Sequence, residues 1–218
     1  MTLVEAAVET LDSALAAERA GADRIELCDN LGEGGTTPDG GLVAAIVERI
    51  RIPVFVLIRP RAGDFFYSES EFDVMMRDIE LTRTMGIAGI VTGALNANGR
   101  VAVKRTRSLV KAAGGLPVTF HRAIDSAADL PVALDDAIDA GVSRVLTSGG
   151  AATAREGMDV IAALVKQARE RVSIVAGGGI REHNVRQVIA RTGAHEVHGR
   201  LIDEAQMREL VNAVRRSG

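Results

Sequence analysis

The sequence predicts an α/β fold, a single (β/α)8 barrel spanning residues 1–218, on three observations. Its 218 residues are close to the usual size of one eight-fold barrel. Short apolar segments alternate with helix-length amphipathic ones roughly every 25 to 30 residues, as βα units around a parallel sheet require. No stretch is Pro-rich, low in complexity or long enough to be a linker, so no second domain is expected. An open doubly wound sheet also alternates β and α. It would normally carry a G-x-G-x-x-G turn after its first strand, and Val8-Glu9-Thr10-Leu11 is nothing like one.

The strands read in order are Leu3 to Val8, Arg24 to Cys28, Val54 to Ile58, Gly89 to Thr92, Val118 to His121, Arg144 to Thr147, Ser173 to Ala176 and Glu196 to His198. Helix-length segments separate them. Thr10 to Ala20 is a clear case, ending at Gly21, where a left-handed residue is often needed. Gly86, Gly141 and Gly193 repeat that pattern, each just past a helix and shortly before a strand.

Composition narrows the function. Hydrophobic residues make up 47% and charged residues 25%, the balance of an ordinary globular protein with a full core. A net charge of −3 gives no electrostatic footprint for nucleic acid or an anionic membrane. The longest clean apolar run, Ile52 to Ile58, is far short of the ~20 residues that span a bilayer. The N-terminus lacks a signal-peptide pattern, and the single cysteine, Cys28, suits a reducing compartment. A cytoplasmic protein is expected.

Alternation along each strand says which side chains enter the barrel. Ile25 and Leu27 suit the helix layer, which sends Glu26 and Cys28 inward. By the same argument Phe55, Leu57 and Arg59 go in, as do His121, Glu5, and Glu196 with His198. The expected result is a charged ring of Glu5, Glu26, Arg59, His121 and Glu196 or His198 near the strand tops, where barrels carry their chemistry. A structural network, with Arg59 neutralised by Glu5 or Glu26, is the competing expectation.

The loops add anion-binding candidates. Arg59, Arg61 and Asp64 follow the third strand, and guanidinium forks match carboxylate or phosphate oxygens. Arg122 and Asp125 follow the fifth strand. Thr147-Ser148-Gly149-Gly150 follows the sixth and Gly177-Gly178-Gly179 the seventh, offering backbone N–H groups to an anion or simply making tight turns. The glycine-rich stretch within residues 32–41 is either a plain connection or a flap over the mouth.

Together these segments resemble the CutC family. The matching strings are Gly21-Ala22-Asp23-Arg24-Ile25-Glu26-Leu27-Cys28, Glu33-Gly34-Gly35-Thr36-Thr37-Pro38, Ile58-Arg59-Pro60-Arg61-Ala62-Gly63-Asp64-Phe65-Phe66-Tyr67-Ser68 and Thr119-Phe120-His121-Arg122-Ala123-Ile124-Asp125. Val145-Leu146-Thr147-Ser148-Gly149 and Glu196-Val197-His198 complete the set. The resemblance covers nearly the whole chain and implies a barrel fold and a role in copper homeostasis. The chain departs from the family pattern in two places. Ala6-Ala7 stands where some members carry Cys-Cys, and Gly199-Arg200-Leu201 runs almost directly into the last helix where relatives often have a longer loop.

Two functions follow. The resemblance implies a copper-handling protein with copper(I) as its metal; Cys28, alone or with His121, is the candidate metal ligand, the alternative being a small core residue. Copper(I) prefers two or three soft sulfur ligands. This chain offers one thiol, and Met75, Met76 and Met85 lie on a predicted helix as core filler. The competing reading is an isomerase- or lyase-type enzyme acting on a small anionic or phosphorylated metabolite. Glu26 and His121 would be its acid/base pair, with Asp125 orienting His121 or Arg122. Arg59, Arg61, Asp64, Arg122, Ser148, Gly149 and Gly178 would bind the substrate. A barrel retained for partner or self-association is a third reading, a homodimer being the commonest assembly on general grounds. The residues leave open whether the chain is an enzyme.

Overall fold

The computed structural model describes residues 2–201 and 203–216. Met1, Ser217 and Gly218, the ends of the expected 1–218 domain, lie outside the described residues, as does Ile202. Eight parallel strands close into a barrel in sequence order. They are β1 (Leu3–Val8), β2 (Arg24–Leu27), β3 (Val54–Leu57), β4 (Gly89–Thr92), β5 (Val118–Phe120), β6 (Arg144–Thr147), β7 (Ser173–Gly177) and β8 (Glu196–Arg200). The helices following them are α1 (Leu11–Ala20), α2 (Gly40–Val47), α3 (Glu69–Thr82), α4 (Val103–Ala112), α5 (Leu130–Ala140), α6 (Met158–Ala168), α7 (Val185–Thr192) and α8 (Glu204–Arg215). None is long and apolar enough to cross a membrane among the described residues.

The sequence boundaries need small corrections. Cys28, Ile58 and His121 fall just past β2, β3 and β5, although each still donates its N–H to the neighbouring strand, at Val8, Val91 and Thr92. β7 and β8 run one and two residues further than expected.

Local chemistry explains the helix ends. Thr10 caps α1 by accepting from Ser13 N at 3.0 Å, and Gly21 ends it at φ 89°. Gly86, Gly141 and Gly193 take the same left-handed form at φ 85°, 93° and 69°. These tight joints all lie at the N-terminal face, so the opposite face is free to carry long loops.

The core has two compartments. Ile25, Leu27, Val54, Val56, Ile58, Val118, Phe120 and Val197 face the helices and join one large apolar cluster. Inside the barrel, Cys28, Phe55, Leu57 and Val91 form a separate small cluster. The alternation read from the sequence is therefore correct for β2, β3, β5 and β8.

Candidate functional site: the upper half of the barrel interior

Inward side chains of such a barrel stack in layers of four drawn from alternate strands. The strand register gives the lowest layer as Arg24, Gly89, Arg144 and Glu196, and the next as Glu5, Phe55, Thr119 and Val175. Above these lie Glu26, Val91, Leu146 and His198, and then Ala7, Leu57, His121 and Gly177.

The two lower layers pair their own charges. Glu5 Oε2 accepts from Arg24 Nε at 2.5 Å and from Arg144 Nη2 at 3.0 Å. Glu196 accepts from Arg24, from Arg144 Nε at 3.0 Å and from Ser173 Oγ at 2.5 Å. Arg144 Nη1 also reaches Thr119 Oγ1 at 2.8 Å, and both guanidinium groups stack about the Phe55 ring at 4.9 and 5.0 Å. Burial opposes ionisation of both carboxyls, but the arginines hold them below their ordinary range. This overturns two expectations. Glu5 and Glu196 are not at the strand tops, and their counter-ions are Arg24 and Arg144, not Arg59. The missing signal was present, because Arg24 shares its phase with Glu26, and Arg144 with Leu146.

The upper layers are different. Glu26 is 5% exposed, and its Oε2 receives no hydrogen bond although His198 Nδ1 lies 3.3 Å away. His198 Nδ1 stands 2.9 Å from Glu5 Oε1. Burial raises the Glu26 carboxyl, and His198 is raised by Glu26 and Glu5 against the effect of its own burial. One layer up, His121 Nδ1 accepts from Ala123 N at 3.2 Å. The neutral ring must then carry its proton on Nε2, which is buried without a partner. Burial, helped by nearby Arg59, pushes this imidazole down to about 3. His121 is thus a neutral hydrogen-bond donor at ordinary pH. The expected Glu26–His121 acid/base pair needs revising, because the group that Glu26 touches is His198.

Arg59 closes the top. It is buried, and its Nη1 donates to the carbonyls of Glu33 (3.1 Å) and Gly35 (2.7 Å) while Nη2 donates to Gly63 O at 2.8 Å. The guanidinium sits 5.0 Å from the Phe65 ring, which itself lies 5.0 Å from His121. Arg59 Nε and the buried Tyr67 hydroxyl have no well-formed partner. The glycine-rich loop before α2 is therefore a cover pinned down by Arg59. A side chain at Gly35 (φ 89°) would come within 2.7 Å of Leu57 Cδ2, so only glycine lets the cover sit this low.

Several loop candidates are engaged in holding the loops themselves. Arg61 is clipped to Glu71 (2.5 Å), Asp64 (2.9 Å) and Phe66 O (3.0 Å), which takes its fork away from the mouth. Asp64, mostly exposed, serves only that clip and Phe66 N. The Asp125 carboxylate fills the nest after β6, accepting from Thr147 Oγ1 (2.5 Å), Ser148 Oγ (3.0 Å) and the amides of Ser148 and Gly150. Asp125 orients Arg122 (2.9 Å) and not His121, and Arg122 in turn donates to Ser148 Oγ at 2.7 Å. Gly149 N is taken by Thr147 Oγ1 at 2.8 Å. The amides after β6 therefore already hold an anion, and it is the protein's own. Gly178 (φ 97°) lies against Arg122 and Ser148 in the same assembly.

Cys28 does not assemble a soft-metal site. Its thiol is buried, lies 3.5 Å from Glu26 Oε1, and is raised well above its ordinary range by burial and by Glu26. Met75, Met76 and Met85 pack in the helix-facing cluster, outside the barrel wall from Cys28. The departure at Ala6-Ala7 completes the picture: Ala6 packs outward, and Ala7 adds no donor to the interior. At the rim, Arg200 and Leu201 help line a cleft of about 440 Å³ with Glu9, Thr10, Leu31 and Arg181, where the connection to α8 is short.

The comparisons agree with this architecture. The family model described as the CutC family matches residues 2–202. A CutC-family protein of Xanthomonas axonopodis pv. citri (strain 306) is 52% identical over 89% of this chain and 81% of its own length. A human protein named copper homeostasis protein cutC homolog is 45% identical over 90% of this chain and 72% of its own. Among solved structures, a CutC protein from Streptococcus agalactiae superposes with a TM-score of 0.86 at 33% identity, covering 91% of this chain and 98% of that one. A Thermotoga maritima phosphoribosylanthranilate isomerase reaches a TM-score of 0.66 over 99% of this chain and 100% of that one, at 13% identity, a likeness of fold alone. By sequence along nearly its whole length, the chain belongs to the CutC family.

Proposed function

We propose that this CutC-family chain binds a small anionic metabolite in the upper half of its barrel, in a site suited to isomerase- or lyase-type chemistry. The observation that carries the reading is that three of the buried donors without a well-formed partner, Arg59 Nε, His121 Nε2 and Tyr67 Oη, come from the loops and strand ends after β3 and β5. A buried donor left unpaired costs roughly 1–3 kcal/mol, so an oxygen anion entering among them would be stabilised by groups already desolvated. One of the three belongs to a cation, and His121 is held neutral, so the set favours a carboxylate or phosphate oxygen over a metal ion. Glu26 and His198 supply the electron-rich side of the same space. Arg59 also pins the cover, so a ligand that recruits its guanidinium would reorganise the loop across the mouth.

The name of the human relative attaches copper homeostasis to the family, and we extend that association to this chain. Direct copper(I) chelation is not the route this donor set supports, since copper(I) seeks several sulfur ligands and Cys28 stands without another. An enzyme or sensor of a small metabolite would serve copper balance indirectly.

The test is isothermal titration of the full chain with phosphate, citrate, and a panel of phosphorylated three- to six-carbon sugars and acids. At least one should bind, with affinity falling about tenfold or more in His121→Phe. If every member of the panel fails to bind at millimolar concentration, the reading is wrong. Cytoplasmic location and a homodimer remain expectations of the same reading, checked by fractionation and by light scattering.

A further inference from the structure

We infer that Glu5, Glu26 and His198 form a binding site for one divalent cation of the zinc type, with an open position facing up the barrel. This goes beyond the anion reading and does not depend on it. Each of the three residues offers a ligand atom within 4.8 Å of the other two, and His198 Nδ1 lies 2.9 Å from Glu5 Oε1 and 3.3 Å from Glu26 Oε2. Two carboxylate oxygens and an imidazole nitrogen repel unless something positive holds them, and only a proton or a metal ion is small enough.

The positions of the donors carry the inference. Below the site, Arg24 and Arg144 are matched by Glu5 and Glu196, two cations against two anions. Glu26 and His198 remain, and a proton on the imidazole or a metal ion would each hold them together. Glu26 Oε2 is buried, receives no hydrogen bond and stands 3.3 Å from His198 Nδ1. Ligand atoms bound tetrahedrally at about 2.0–2.1 Å from zinc stand roughly 3.3 Å apart. The Glu26–His198 separation already has that value, and the 2.9 Å Glu5–His198 contact would open by a few tenths of an ångström as the metal replaces the shared proton. Arg24 and Arg144 engage only Oε2 of Glu5, so Oε1 is the oxygen left facing the site.

The donor set also says which ions fit. An imidazole with two carboxylates suits zinc and its first-row neighbours, whereas magnesium and calcium prefer all-oxygen shells. Three protein ligands leave a fourth position, as in catalytic rather than structural zinc sites. Above that position the next layer offers two small residues, Ala7 and Gly177, beside Leu57 and His121. A Cβ at Gly177 would meet Leu146 Cδ1 at 2.5 Å and His198 Cβ at 3.3 Å, so glycine leaves room for Leu146 and relieves His198.

The experiment uses the full chain stripped with a chelator and titrated with zinc(II) against a chromophoric competitor, with Glu26→Gln, His198→Gln and Cys28→Ser variants beside it. One zinc per chain is expected, weakened about 100-fold or more in Glu26→Gln and His198→Gln and unchanged in Cys28→Ser. Circular dichroism of each variant separates lost ligands from lost folding. Cobalt(II) should give only weak visible bands. A strong thiolate-to-cobalt band would make Cys28 a ligand and overturn the three-donor assignment. Absence of stoichiometric zinc binding, or equal binding in both folded ligand variants, would show that a proton alone holds the cluster.

Discussion

The lower and upper halves of the barrel interior both carry charge, and they handle it in opposite ways. Below, Arg24, Arg144, Glu5 and Glu196 satisfy one another, with Thr119 and Ser173 taking further bonds. Above, Glu26, Arg59 and His121, with Tyr67 in the loop after β3, each keep a buried polar atom with no well-formed partner. Buried polar groups in folded proteins are nearly always paired, so the contrast separates groups that hold the fold from groups that await something. It also corrects the expectation that a ring of charge in a barrel has one purpose. The same strands, β2 and β8, contribute to both halves: Arg24 and Glu196 go to the lower, Glu26 and His198 to the upper.

The largest expected effect lies below. Arg144→Met removes one partner from a buried network and leaves Glu5 and Glu196 undercompensated, which should cost about 3–5 kcal/mol of stability. Urea unfolding measures it. A loss below about 1 kcal/mol would mean that water reaches the lower layers and that the two halves do not differ as drawn.

How much of this was legible in the sequence depends on the range of the interaction. Helix caps at Thr10, Gly21 and Gly141 depend on neighbours within four residues, and all three were readable. The inward phases of Glu26, Cys28 and His121 followed from alternation along one strand. Pairing was not readable, because Arg144 meets Glu5 across 139 positions and Asp125 meets Ser148 across 23. Nor was the role of Arg59, whose guanidinium spends itself on backbone carbonyls that no residue pattern encodes. Arg24 was within reach, since counting back by two from Glu26 places it in the barrel. Glycine-rich turns after β6 read equally as amides for an anion or as tight turns, and the group those amides meet is the chain's own Asp125.

A pH series sharpens the comparison at intermediate size. His121 is held at about 3 by burial and by Arg59, against about 6.5 in an unfolded chain. Between those values the unfolded state binds a proton that the folded state refuses. Stability contributed by the neutral ring is complete above about pH 6.5 and falls as the pH drops toward 3, by up to about 1.4 kcal/mol per unit. Comparing urea midpoints of the chain and of His121→Asn at pH 7, 6 and 5 isolates this slope. Equal slopes in the two proteins would show that His121 protonates as easily folded as unfolded, and the upper site would then be wet.

The smallest expected change in stability is the most direct test of the contrast. Tyr67 is buried, and its phenol is pushed up to about 12 by burial, against the charge and a loose contact of Arg59 and the charge of Arg61; no partner meets full hydrogen-bond geometry at its hydroxyl. Removing a buried hydroxyl normally loses a bond worth about 1 kcal/mol. Here only a loose contact with Arg59 is lost, so Tyr67→Phe should leave the urea midpoint nearly unchanged. Under the proposed anion reading, the same substitution should weaken the bound anion, since it deletes one of the three donors that reading assigns to it. Stability kept with affinity lost would mark Tyr67 as a ligand-facing group. Stability lost by about 1 kcal/mol with affinity kept would place the hydroxyl on a fixed water and move Tyr67 to the side of the fold.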